Sequence, residues 1–190
     1  MTPRTAWVVD DQPRTRQWLD AALRLAFGTI RVDHAGSLAA ARRLCVDQAW
    51  PDLALIDLRL PDGSGVELIE ALFRARADAH IFVPTIFDDD AYLFRAIHAG
   101  ADGHLLKDRS VEALAETLRA QLAGAPPPLS PSLARRILRE LDAIGAAPAE
   151  PVRGYLQEIA RGAAGREAGA ARGVDADALR AALQPLRAAP

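Results

Sequence analysis

Five polar residues stand at or just after the ends of short apolar runs: Asp10 and Asp11 after "AWVV", Asp57 after "DLALI", Thr85 one residue beyond "HIFV", and Lys107 closing "GHLLK". Three carboxylates brought together would repel one another and raise their own pKa values unless something positive sat among them. A hard divalent cation with oxygen ligands answers that need, and Mg²⁺, held by one or two carboxylates while keeping several waters, is the commonest choice where phosphate is handled. A carboxylate can attack phosphorus to give an aspartyl phosphate while a metal, a hydroxyl and an ammonium take up charge on the equatorial oxygens. On this reading Mg²⁺ bridges one phosphoryl oxygen to Asp11 and Asp57, Thr85 offers a hydroxyl to a second, and Lys107 supplies a mobile point charge to a third. Lys107 is also the single lysine among 23 basic residues. An ammonium can reach one oxygen as a point charge where a planar guanidinium fork cannot.

Those residues meet only if the runs are neighbouring parallel strands. "AWVV", "TIRV", "DLALI", "HIFV" and "GHLLK" are nearly continuous apolar stretches without polar alternation, the pattern of strands covered on both faces. Between them, apolar residues recur at helical spacing: Trp18, Ala22, Leu23 and Ala26; Leu38, Ala41, Leu44 and Cys45; Val66, Ile69 and Leu72 or Phe73; Tyr92, Leu93, Ala96 and Ile97; Val111, Leu114, Ala115, Leu118 and Leu122. Right-handed crossovers then make residues 1–124 a doubly wound α/β sandwich, whose ligands bind at the carboxyl ends of the strands. Pro84, directly after "HIFV" in what should be an interior strand, predicts a bulge or local distortion beside Thr85. Asp88, Asp89 and Asp90 read as a helix start, and "DGSG" as a turn.

"VVDDQP", "LALIDLRLPDGSGVELI", "PTIFDDDAYLFRAIHAGADG" and "HLLKD" together resemble the receiver domain of two-component response regulators, the CheY-like family, over about residues 5–123. The resemblance implies a flavodoxin-like five-stranded parallel sheet of order 2-1-3-4-5. It also implies Asp57 as acceptor of phosphate from a histidine kinase, and Mg²⁺ held by Asp10, Asp11, Asp57 and the backbone carbonyl of Arg59. Thr85 and Lys107 would couple phosphorylation to a shape change. His104 stands where the family has a Tyr or Phe that swings inward, which adds a titratable group to the switch.

After Gly124 the texture changes. "APPPLSPS" reads as a stiff proline-rich linker within residues 125–151, followed at about 130–143 by a helix that Ser130 caps and Pro131 opens. Residues 152–190 resemble a degenerate helix-turn-helix of NarL/LuxR-type regulators, giving a small all-α C-terminal region. On that resemblance Glu158–Arg161 end the first helix, Asp175 caps the third, and Arg166, Arg172 and Arg180 are the candidate DNA contacts. Ala168 and Arg172 occupy positions the family fills with large aliphatics, Pro185 should stop the third helix early, and the chain ends before the family's fourth helix.

Composition bounds the rest. Of the 190 residues 50% are apolar and 25% charged, as in a soluble globular protein. Residues 125–190 carry 9 Arg against 7 acidic residues, too slight an excess to argue for nucleic-acid binding by itself. A single cysteine, Cys45, no signal peptide and no long apolar run fit a cytoplasmic protein without a membrane partner. No zinc spacing links the histidines, and no separate general base marks an enzyme. Two functions remain open at this level: a homodimeric transcription factor reading paired DNA half-sites, and a phosphorylation-controlled protein-interaction module that does not touch DNA.

Overall fold

The computed structural model describes residues 2–47, 49–85 and 90–188, apart from the side chains of Asp47, Asp90 and Arg166. Its first part alternates β1 (Thr5–Val9), α1 (Pro13–Phe27), β2 (Arg31–Ala35), α2 (Leu38–Asp47) and β3 (Leu53–Ile56). A short hairpin, β4 (Arg59–Leu60) and β5 (Gly63–Ser64), leads into α3 (Gly65–Ala75), β6 (His80–Thr85), α4 (Asp90–Ala99), β7 (Gly103–Leu106) and α5 (Val111–Leu122). The main sheet is parallel throughout, in the order β2-β1-β3-β6-β7. Counted over its five strands alone, that is the expected 2-1-3-4-5.

Strand residues alternate between two cores because successive side chains point to opposite faces. Ala6, Val8, Leu53 and Leu55 pack with Leu19 and Leu23 of α1 and Leu114 and Leu118 of α5. Trp7, Val9, Ala54, Ile56, Ile81 and Val83 face the opposite side, with Ile69 and Leu72 of α3 and Ala96 and Ile97 of α4. Helix starts follow local chemistry: Ser64 Oγ accepts from Val66 N–H and Ser110 Oγ from Ala113 N–H. Asp90 is the first residue of α4, while Asp88 and Asp89 lie outside the described residues.

Two expectations are corrected. The second strand runs over Arg31–Ala35, shifted past the apolar run "TIRV". It is an edge strand whose pattern is mostly exposed or half-buried, so apolar residues do not mark it. Pro84 produces no bulge: β6 is continuous and keeps register with β7 through Thr85↔Leu106. The carbonyls of Ile81 and Thr85 accept from Asp102 and Lys107 on the β7 side, whereas His80 N–H donates to Asp52 on the β3 side. Pro84, in phase with His80, therefore turns its missing donor toward β3, where pairing has already ended at Leu55↔Phe82.

Four helices follow: α6 (Pro131–Ala143), α7 (Glu150–Ala160), α8 (Gly165–Arg172) and α9 (Ala176–Ala188). Ser130 Oγ accepts from Leu133 N–H at 3.0 Å, and Asp175 Oδ1 from Ala178 N–H at 2.7 Å. The proline stretch is packed rather than free, with Pro126 O accepting from Gln121 Nε2 and Pro127 O from Tyr155 OH. Leu133, Ile137 and Leu141 of α6 and Leu179, Leu183 and Leu186 of α9 belong to the same buried cluster as Leu93, Phe94 and Ile97 of α4. Pro185 does not end α9, which continues to Ala188. An interior proline costs about 3 kcal/mol, a sum that burial of Leu186, worth about 1.5–3 kcal/mol, goes far to offset. Arg187 adds bonds to Ile97 O and Ala101 O that pin the last turn.

A core shared in this way should unfold as one unit. All three tryptophans, Trp7, Trp18 and Trp50, lie before α3, so their fluorescence reports only on the α/β part. Leu183→Ala, in α9, is expected to cost about 2–5 kcal/mol and to lower the urea midpoint read by tryptophan fluorescence and by circular dichroism equally. A fluorescence midpoint that stayed in place while helicity was lost would show two independent units.

Candidate metal and phosphoryl centre

The carboxyl ends of β1, β3, β6 and β7 bring Asp10, Asp11, Asp57, Thr85 and Lys107 into one region. Backbone bonds just past the strands fix them: Asp10 N–H donates to Ala35 O, Asp57 N–H to Val9 O and Lys107 N–H to Thr85 O. Asp10, Asp11 and Asp57 each offer a carboxylate oxygen within 4.8 Å of the others. Asp10 is wholly buried, Asp57 half-buried and Asp11 exposed. That gradient leaves an open side to a group of hard oxygen donors, which suits a dication that keeps part of its water.

Lys107 Nζ donates to Asp10 Oδ2 at 2.6 Å and to Asp57 Oδ2. The remaining oxygens are also held, Asp10 Oδ1 by Gln12 N–H at 2.9 Å and Asp57 Oδ1 by Arg59 N–H at 3.1 Å. Burial holds the Asp10 carboxyl above its ordinary range, and the nearby charge of Asp57 adds to this, while Lys107 and the Gln12 N–H oppose it without cancelling it. Burial also works against the Lys107 ammonium, but its bonds to Asp10 and Asp57 outweigh that and hold its pKa above the usual value.

Arg59, Thr85 and Tyr92 line the same cleft as Asp11, Asp57 and Lys107. His104 sits on β7 opposite Val83 and is 4% exposed. The "DGSG" segment does more than turn. A Cβ on Gly65 would strike the backbone carbonyl of Asp57, so glycine there lets α3 begin directly against the loop that carries Asp57. Asp62 accepts from Leu38 N–H at 2.7 Å and Ala39 N–H at 2.8 Å, capping α2 from 24 residues away, a role that no local sequence signal announces.

The expected DNA contacts are not gathered on one surface. Arg172 donates twice to Glu158 Oε1, at 2.9 and 2.7 Å. Arg180 reaches Asp102 Oδ2 at 2.6 Å, His80 Nδ1 at 3.2 Å and the carbonyls of Ala77 and Ala79. The Arg166 side chain lies outside the described residues. Sequence reasoning missed Asp102 and Arg187, which complete this junction. The Arg187 guanidinium lies over the Phe73 ring, and burial pushes its pKa down to about 10, still charged at neutral pH.

An all-parallel sheet of this order, with acidic residues and a lysine at its carboxyl ends, defines a receiver fold of the CheY-like type. The chain belongs to the response regulator receiver domain family, whose description matches residues 6–119. The nitrate/nitrite response regulator protein NarP of Escherichia coli is 37% identical over 124 residues, 65% of this chain and 57% of NarP. NarL of the same species is 30% identical over 168 residues, covering 84% of this chain and 76% of NarL. The DNA-binding transcriptional activator DevR/DosR of Mycobacterium tuberculosis is 36% identical over 118 residues, 62% of this chain and 54% of that protein. The chain thus spans little more than half the length of NarP and DevR/DosR. Among solved structures, a LuxR-family response regulator from Aurantimonas superposes with a TM-score of 0.58 at 28% identity, over 74% of this chain and 98% of that one.

Removing the Lys107 ammonium leaves Asp10 buried beside Asp57 without its cation. Lys107→Met is expected to destabilise the metal-free protein by about 3–5 kcal/mol at neutral pH. A carboxyl whose folded pKa lies above the unfolded 3.8 favours folding fully below that value, and the contribution is lost as pH rises through the folded pKa. Losing Lys107 raises the folded value further, so the penalty should shrink as pH falls from about 7 to about 4. Denaturation midpoints across that range check it; a penalty independent of pH would place the lysine's role elsewhere.

Proposed function

We propose that this chain is a two-component response regulator of NarL-like descent, phosphorylated on Asp57 by a histidine kinase and acting on transcription. The observation that carries the proposal is the convergence of Asp10, Asp11 and Asp57 with Lys107 at the sheet's carboxyl edge. In the transfer, an Asp57 carboxylate oxygen forms a bond to phosphorus as the bond from phosphorus to the kinase histidine nitrogen breaks. Asp10, Asp11, Asp57 and the Arg59 carbonyl would hold Mg²⁺, which when bound neutralises charge on the phosphoryl oxygens. Lys107 must then exchange at least part of its contact with Asp57 for a phosphoryl oxygen, and Thr85 lines the cleft from which its hydroxyl can follow. His104 on the adjacent strand takes the part of the switch residue. In this reading the protein is a cytoplasmic signal receiver that works as a homodimer, and not an enzyme.

The output admits a second reading, favoured by the placement of α9. Its exposed positions Asp177, Ala181, Gln184, Pro185 and Ala188 include no cation, and Arg180 is engaged on Asp102. A recognition helix must enter the major groove and neutralise phosphates, so DNA reading requires α9 to leave the surface it covers here. If it does not leave, the chain is a phosphorylation-controlled interaction module.

Asp57→Asn is expected to abolish base-labile phosphate incorporation from a small phosphodonor; retained labelling would move the acceptor to another residue. Gel shifts with genomic fragments at low salt separate the two outputs. A shift that appears with phosphodonor in the wild type and not in Asp57→Asn supports transcriptional action, and no shift under either condition leaves the interaction module.

A further inference from the structure

The acidic pair is held from behind by a residue that the phosphoryl chemistry does not otherwise use. Arg16 Nη1 donates to the backbone carbonyl of Asp10 at 2.7 Å and to that of Asp11 at 3.1 Å. We infer that Arg16 is a positioning residue for the metal centre: it sets the backbone turn that carries the Asp10 and Asp11 carboxylates toward Asp57. The inference rests on the reading of that centre as a Mg²⁺ site.

Three observations support it. First, among the described residues Arg16 is the side chain of α1 itself that reaches back to this loop. Gln12, its N-cap, makes no side-chain capping bond, and Pro13 opens the helix. The loop is joined to α1 instead by a side chain reaching back from the helix. Second, the residue type runs against the helix dipole, though Asp10 and Asp11 lie close by. The first turn of α1 holds no acidic residue, and a cation near the positive end of a helix dipole is unfavourable. Two carbonyl acceptors directed at one nitrogen give that cation a local reason to be there. Third, space is kept for it: a Cβ on Gly36, in the turn between β2 and α2, would lie 3.2 Å from Arg16 Nη1. Gly36 is not among the glycines with positive φ, and a methyl there would crowd the Arg16 guanidinium by a few tenths of an ångström.

The two acids are held differently: Asp10 through both its backbone, by Arg16, and its carboxylate, by Gln12 N–H and Lys107, and exposed Asp11 through its backbone, by Arg16. Groups that orient metal ligands without touching the metal typically change affinity roughly 10–100-fold when removed.

The test is calorimetric titration of Mg²⁺ alone into the full chain. Arg16→Met, which keeps the apolar stem and removes the donors, should raise the Mg²⁺ Kd about tenfold or more. Gly36→Ala, which crowds Nη1, should raise it less. The double variant should be no weaker than Arg16→Met, because the methyl added at position 36 acts only through the guanidinium. Phosphorylation from acetyl phosphate should slow at low Mg²⁺ and return to the wild-type rate at saturating Mg²⁺. An unchanged Kd in folded Arg16→Met, additive losses in the double variant, or a rate still depressed at saturation would each overturn the assignment. Should Arg16→Met fail to fold, Gly36→Ala decides alone, and a wild-type Kd there overturns it. Failure of the wild type to bind Mg²⁺ would instead overturn the proposed function itself.

Discussion

One ammonium shared by two carboxylates at the edge of a sheet governs the chemistry of this molecule. Asp10 has no exposed surface, and a carboxylate in that position is tolerated only with a cation in contact. Lys107 meets the need from the end of β7, two strands beyond β3, so the pair exists only when the parallel register is correct across the sheet. The bonds from Asp10 to Ala35, Asp57 to Val9 and Lys107 to Thr85 continue each ladder one residue past its strand and deliver the side chains as part of the same pairing. A one-residue slip would turn each side chain to the other face. Fold and site are therefore a single specification.

That coupling explains what the sequence made legible. Both-face burial writes β1, β3, β6 and β7 as apolar runs, and the residues at their ends could be named because parallel sheets collect function there. β2 was placed two residues early, since its residues answer to solvent as much as to the core, whereas the other edge strand, β7, is mostly buried. The bulge expected at Pro84 failed for a different reason. Which side of a strand a missing donor faces depends on phase and on where each ladder ends, and neither is written in the strand itself. Asp62 and Arg16 were overlooked because their partners are backbone groups, which carry no signature in side-chain type.

The C-terminal helices teach the same lesson from the opposite side. Read alone, a segment rich in alanine buries too little apolar area for an independent module, and among the described side chains of α8 the buried positions are the small Ala168 and Gly169. The deficit is met from outside the segment: Leu179, Leu183 and Leu186 join a cluster supplied by α4 and α6. Arg180 would read as a DNA contact from its place in the third helix, yet its shortest contact, with Asp102, is to a residue 78 positions earlier. Asp102 also accepts from Ile81 N–H, so the residue that anchors α9 is itself part of the sheet's construction.

This arrangement gives α4 a position between the two halves of the protein. Its first residue follows the end of β6 at Thr85 by five positions, and its far side packs against α6 and α9. Arg136 of α6 lies 4.3 Å from the centre of the Phe94 ring, and Arg187 of α9 bonds to Ile97 O within α4. Protein interiors are close-packed, so a displacement of α4 cannot be absorbed locally and must be shared with whatever covers it. The C-terminal helices are therefore joined to the α/β part by the packing of α4 against α6 and α9 as well as by the proline stretch. The bonds of Arg180 to Asp102 beside the sheet and of Arg187 to α4 are the polar contacts that hold α9 against this surface.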